Sequence, residues 1–267
     1  MKKFISLTLL ATLIISMCIP SFAYTSLSAN TDISLKNSEY VMLHGGSEEE
    51  QLKNEENKKK AQLELENLVL PLSTSSRILD IPTYQQERYY WCGPANIKQV
   101  IQYMTGSSDS QSTYASSMGT NSSDGTYVYK MANELNKRQS IHTYTYTQMS
   151  SSSKQTLANN IVFSTDFGRP CIFHSRTQYL YMYNGNSLGH YLTCRGYNFS
   201  GFSTASIEDG EYSTLSNTVA PSSTTLDGTV YYTDSYYKDF GNGSVLGNHS
   251  DSLDNILNSL NGRYLIN

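Results

Sequence analysis

The hydrophobic pattern changes period near residue 168, and that switch limits the folds open to this chain of 267 residues. Upstream of it, Ile97, Val100, Ile101 and Met104 recur at i, i+3, i+4 and i+7, which predicts a helix over Pro94 to Met104. Pro94 suits a first helical turn, and Gly106 can close the last one. A second helix is expected from about Thr126 to Lys137, with Val128, Met131, Ala132 and Leu135 on one face, and a third from Ser152 to about Phe163. Downstream, Pro170 to His174, Gly189 to Tyr197 and Thr229 to Asp234 are short, aromatic or β-branched, and bounded by turn residues, as strands are. Helices first and strands afterwards is an α+β order rather than an alternating βαβ one. Ile78 to Tyr84, with Pro82, reads as a short extended lead-in. Ser200 to Asp227 reads as a Ser/Thr-rich loop or hairpin insertion bordering the cleft.

The N-terminus bears on compartment. Lys2 and Lys3 precede an apolar run from Phe4 to Ile19, and Ser21-Phe22-Ala23 supplies small residues where a signal peptidase cuts. The run is short for a membrane span, so residues 1–23 are expected to leave as a signal peptide, giving a secreted or surface-exposed chain with no span. Residues 24–76 lack core periodicity and read as a polar, charged spacer or a propeptide. A spacer of this kind is compatible with association with the cell surface. Ser47-Glu48-Glu49-Glu50 is a capping-box pattern. The helix it would start is polar all round from Gln51 to Lys60, and only Ala61, Leu63, Leu65, Leu68 and Leu70 offer docking groups. Residues 77–267 are then one domain of ordinary size.

Export makes the cysteine count informative. Of four cysteines Cys18 goes with the signal, leaving Cys92, Cys171 and Cys194. An odd number in an exported chain flags a free thiol. Cys171 and Cys194 fall on predicted strands and read as core fillers, with a disulfide between them left open. The 19 basic residues less Lys2 and Lys3 are 17, against 23 acidic ones, so no basic groove for nucleic acid is expected. The histidines and cysteines lack metal-ligand spacing and there is no glycine-rich phosphate loop, so neither metal nor other cofactor is expected.

Cys92 stands just ahead of the clearest helix, in Trp91-Cys92-Gly93-Pro94-Ala95. A helix N-terminus favours an anion such as a thiolate. The Cys92 N–H is placed to donate into an oxyanion hole, and a nearby amide from Gln85 or Gln86 can supply a second donor. Trp91 is expected to pack beside the site.

These residues resemble the C39-like peptidases of the papain-like superfamily. The resemblance rests on Gln86, five intervening residues and then Cys92-Gly93-Pro94-Ala95. It continues in Gly168-Arg169-Pro170-Cys171-Ile172, in Gly189-His190-Tyr191-Leu192, in Gly196-Tyr197 and in Thr233-Asp234-Ser235-Tyr236. It implies a papain-like fold in which Cys92 attacks a peptide carbonyl, His190 shuttles the proton, Asp234 orients the imidazole and Gln86 completes the oxyanion hole. A peptide or protein would be the partner. Ser235 departs from the family's usual proline, and the long His190–Asp234 separation leaves Asp209 and Asp239 as alternatives. The same triad would serve a wall-peptide amidase or a transglutaminase-like enzyme. A non-catalytic surface protein retaining the fold is the reading from another class.

Overall fold

The computed structural model describes residues 44–66, 75–151, 154–202 and 226–267. The expected signal peptide and the Ser200–Asp227 insertion, beyond its first and last few residues, lie outside them, as does Asp209. Six helices and a seven-stranded antiparallel sheet make an α+β architecture compatible with the papain-like fold.

The helices are α1 (Glu48–Glu66), α2 (Cys92–Thr105), α3 (Gln111–Met118), α4 (Val128–Arg138), α5 (Lys154–Asp166) and α6 (Leu253–Leu260). The strands are β1 (Ser76–Ile78), β2 (Tyr146–Gln148), β3 (Ile172–Arg176), β4 (Gly189–Ser200), β5 (Asp227–Asp234), β6 (Gly247–Ser252) and β7 (Tyr264–Ile266). The sheet runs β2-β7-β3-β4-β5-β6, and β1 pairs with the distal half of β4. Strand alternation sends neighbouring residues to opposite faces. Ile172, Tyr191 and Ile266 join a core with α2, α3 and α4, whereas Phe173, Leu192 and Leu265 join one with α5 and α6. Both sheet faces are therefore covered, and the site residues are held between packed layers.

Two glycines decide close approaches. At Gly93, in the first turn of α2, a Cβ would lie 2.7 Å from the Cβ of Thr126, so only glycine lets the helix start seat against the loop before α4. At Gly196, beside a register shift in β4, a Cβ would lie 2.8 Å from the Cα of Ile78, so glycine admits β1 to the sheet.

Of the apolar groups expected to dock α1, Leu68 and Leu70, and the side chain of Leu65, lie outside the described residues. Ser47 caps the helix, accepting from the Glu50 N–H at 3.4 Å, but Leu52 and Leu63 remain exposed. The buried docking residue is Asn54, whose carboxamide donates to Tyr146 O (2.9 Å) and accepts from Tyr146 N–H (3.0 Å). It thus satisfies the outer face of the edge strand β2 as a neighbouring strand would. Further along, Glu64 accepts from Thr143 N–H (3.0 Å) and the Thr143 hydroxyl (2.6 Å) and pairs with His142 Nδ1 at 3.0 Å. A cavity of about 50 Å³ lies under Ala61, lined also by Phe163, Phe167 and Arg169. Polar bonds rather than apolar packing hold this helix in place.

Candidate active site

Cys92 is the first residue of α2. Trp91 contributes no side-chain cap, and the first intrahelical bond runs from Ala95 N–H to Trp91 O. The N–H groups of Cys92 and Gly93 precede that bond, so they belong to the set of amides that a helix start leaves for other acceptors. Asn96, one turn on, ties the helix to the sheet: its Nδ2 donates to Cys92 O (2.8 Å) and Tyr191 O (2.9 Å), and its Oδ1 accepts from the Thr193 hydroxyl.

His190 lies at the start of β4, 4 % exposed, and Asp234 at the end of β5, fully buried. His190 Nε2 is 2.8 Å from Asp234 Oδ1. Cys92 lies near enough to the ring to act on its protonation. Burial opposes a charge on this imidazole. The Asp234 carboxylate, and after it Cys92, overcome that and raise its pKa to about 10. Asp234 also accepts from Tyr236 N–H at 2.8 Å and, on its other oxygen, from the Tyr183 hydroxyl at 2.8 Å. Such donors offset the cost of burying a carboxyl group. Burial and then the Asp234 charge push the Tyr183 hydroxyl's pKa upward, which keeps that group a donor.

Of the two candidate glutamines, Gln85 is exposed and Gln86 is buried. Gln86 joins the loop before α2 to the residue after Asp234: its N–H donates to Ser235 O (2.8 Å) and its Oε1 accepts from the Ser235 hydroxyl (3.3 Å). The serine that departs from the family pattern is thus a partner of Gln86. The Gln86 amide donates to Arg88 O (3.0 Å) and Tyr89 O (2.9 Å), which engages both of its hydrogens. Trp91 is buried under the Arg88 guanidinium (4.9 Å), and its indole N–H has no acceptor among the described residues.

The alternative aspartate and other histidines have other partners. Asp239 accepts from Gly241 N–H and Gly243 N–H in a turn. His142 faces Glu64, and His249 Nε2 lies 2.9 Å from Val245 O. Cys171 and Cys194 are free and buried; burial pushes the Cys171 thiol pKa well up, as expected of an inert core thiol. Tyr183, Asn96 and Gln111 carry no local sequence signal, yet all shape the site. Gln111, from α3, brackets the loop before α2 by bonding Gln85 O (2.8 Å) and Glu87 N–H (3.1 Å).

A thiol at a helix start and an imidazole paired with a buried carboxylate thus sit together in an α+β frame. Residues 78–245 match the model of the peptidase C39-like family, and the chain belongs to that family. No curated protein matches the sequence. Membership marks the architecture as cysteine-peptidase-like. Among the described residues no helix is long and apolar enough to cross a membrane.

Proposed function

We propose that the protein is a secreted cysteine peptidase in which Cys92, His190 and Asp234 act as a triad. The observation that supports this reading is the 2.8 Å pairing of His190 with the buried Asp234 carboxylate, with Cys92 at the helix start near enough to the imidazole to favour its charged form. The Cys92 sulfur, as thiolate, attacks the peptide carbonyl carbon, and the carbonyl electrons move onto oxygen. That oxyanion accepts from the Cys92 N–H. Gln86 is the second donor in this scheme. With both amide hydrogens held by Arg88 and Tyr89, its donation exchanges one carbonyl for the oxyanion, a tightening that active sites reserve for the bound state. His190 gives its proton to the leaving amine, the C–N bond breaks, and a thioester remains. Water then attacks the thioester, losing a proton to His190, and the acid product leaves as the thiol is restored.

Asp234 fixes the imidazole so that Nε2–H faces the carboxylate and the other nitrogen faces sulfur. A thiol alkylating probe should label Cys92 in the native protein faster than Cys171 or Cys194. Equal labelling of all three, or a Cys92→Ala variant that retains peptide hydrolysis, would refute the assignment. Asp234→Ala should lower turnover strongly with the fold intact; a negligible loss would remove Asp234 from the triad. Sequencing the N-terminus of exported protein tests cleavage after Ala23.

A further inference from the structure

The residues that flank the proposed catalytic pair build a second feature. Tyr191 follows His190 on β4 and stacks on His174 of β3, ring centroids 4.4 Å apart. The Tyr191 hydroxyl donates to Thr126 O at 2.7 Å, and Thr126 is the residue against which Gly93, next to Cys92, is packed. Tyr127 comes next in the chain. A Cβ on Gly189, which precedes His190, would lie 3.9 Å from His174 Nε2 and 3.7 Å from an Arg263 nitrogen. Tyr127 and His174, with Tyr191 behind His174 and Arg263 nearby, therefore bound one spot close to immediate neighbours of Cys92 and His190.

A ring from elsewhere in the chain fills that spot. His44 lies against His174 with centroids 4.6 Å apart and meets Tyr127 edge to face at 5.6 Å. Its path is directed. Gly45 O accepts from the Tyr146 hydroxyl of β2 at 2.7 Å, and a Cβ on Gly45 would be 3.2 Å from the Tyr264 hydroxyl of β7. His44 then reaches β3. Read backwards from α1, the segment crosses the sheet towards the strand that carries His190. Gly46 makes the reversal into α1 with φ 78°, and a Cβ there would lie 2.8 Å from Glu50 Cβ.

We infer that the spot holding His44 is a substrate side-chain subsite of the cleft, that it accepts a neutral planar ring, and that residues 44–46 strap it shut in the full chain. The inference rests on the reading of Cys92 and His190 as catalytic. Two rings in contact with the occupant, Tyr127 and His174, the latter stacked in turn on Tyr191, select a flat side chain. Burial and the neighbouring Arg263 charge, opposed by Asp124, hold His44 neutral, with its pKa lowered to about 4. The same surroundings disfavour lysine or arginine in a substrate. The strap can leave because α1, which anchors it, is held by polar bonds over a cavity.

The test compares two irreversible reagents on full-length protein: iodoacetamide, and a short peptidyl acyloxymethyl ketone carrying phenylalanine. His44→Ala should raise the rate of Cys92 modification by the phenylalanine reagent about tenfold or more, and leave the iodoacetamide rate within about twofold. His44→Phe refills the subsite and should stay close to the unmodified chain. Gly46→Ala, which leaves the His44 side chain itself unaltered, should dislodge the strap and reproduce the His44→Ala gain. Iodoacetamide labelling of Cys92 with no gain in His44→Ala overturns the strap and leaves the peptidase reading intact. Equal gains in His44→Ala and His44→Phe, or an equal gain with a lysine reagent, also overturn it. Failure of iodoacetamide to label Cys92 counts instead against the peptidase reading.

Discussion

At the scale of single residues, the site depends on contacts that leave little slack. Gly93→Ala places a methyl group within 2.7 Å of Thr126 Cβ. Overpacking of this kind costs about 1–3 kcal/mol, and here the strain falls on the residue beside the thiol. Denaturant melts should show that loss, and Cys92 labelling should slow although the triad is unchanged. Tyr183→Phe removes one of the three donors to Asp234. A hydrogen bond to a charged group is worth about 1.5–3 kcal/mol, so stability should drop by that order and hydrolysis should weaken. A variant with unchanged stability would show that the hydroxyl is not needed. Neither partner was legible in the sequence. Tyr183 and Asp234 are 51 residues apart, and Asn96 and Tyr191 are 95 apart. Cys92, Gln86 and His190 stood out because each lies in a short run whose meaning is local: a helix start, a fixed spacing, a strand opening.

At the scale of elements, legibility followed length and amphipathicity. The spacing of Ile97, Val100 and Ile101 marked α2, which starts two residues upstream of the expected Pro94, at Cys92 itself. Helix α3 has eight residues, several of them serines, and buries only Gln111, Tyr114, Ala115 and Met118. So short and polar a segment shows no stripe. Strands β2 and β7 are three residues each, too few for alternation to register. Leu253, Ile256, Leu257 and Leu260 of α6 do carry helical spacing, a signal legible in the sequence itself. For α1, the side chains that matter are an asparagine and a glutamate, and no hydrophobic pattern reports those. Asn54→Ala should leave the N–H and C=O of Tyr146 without their partner, at about 1–3 kcal/mol for each buried group. Hydrogen exchange at the Tyr146 amide should accelerate; unchanged protection would show that the pairing contributes nothing.

At the scale of the whole molecule, four buried histidines set opposing pH limits, with burial lowering His174 in the same direction as His44 and His142. His44 and His142 have pKa values lowered to about 4, chiefly by burial, against 6.5 for an exposed imidazole. Between those values the unfolded chain binds protons that the folded chain refuses. Stability is therefore complete above 6.5 and falls as pH drops towards 4, by on the order of 3 kcal/mol for each histidine. His190 behaves in the opposite sense. Its pKa is raised to about 10, so its contribution is complete below 6.5 and is lost as pH rises from 6.5 to about 10. Urea melts across this range should show a maximum near 6.5, and a profile flat between about pH 5 and about pH 9 would contradict both assignments. The Asn54 pairing has a consequence of another kind. Strand β2 ends the sheet, and the carboxamide of Asn54 is what keeps its outer N–H and C=O occupied. A chain shortened to begin after α1 would offer that row of groups to any extended backbone, the readiest being the same strand of another molecule. Trimming the chain for convenience would then produce dimers and aggregates joined sheet to sheet, and gel filtration would reveal them before any assay did.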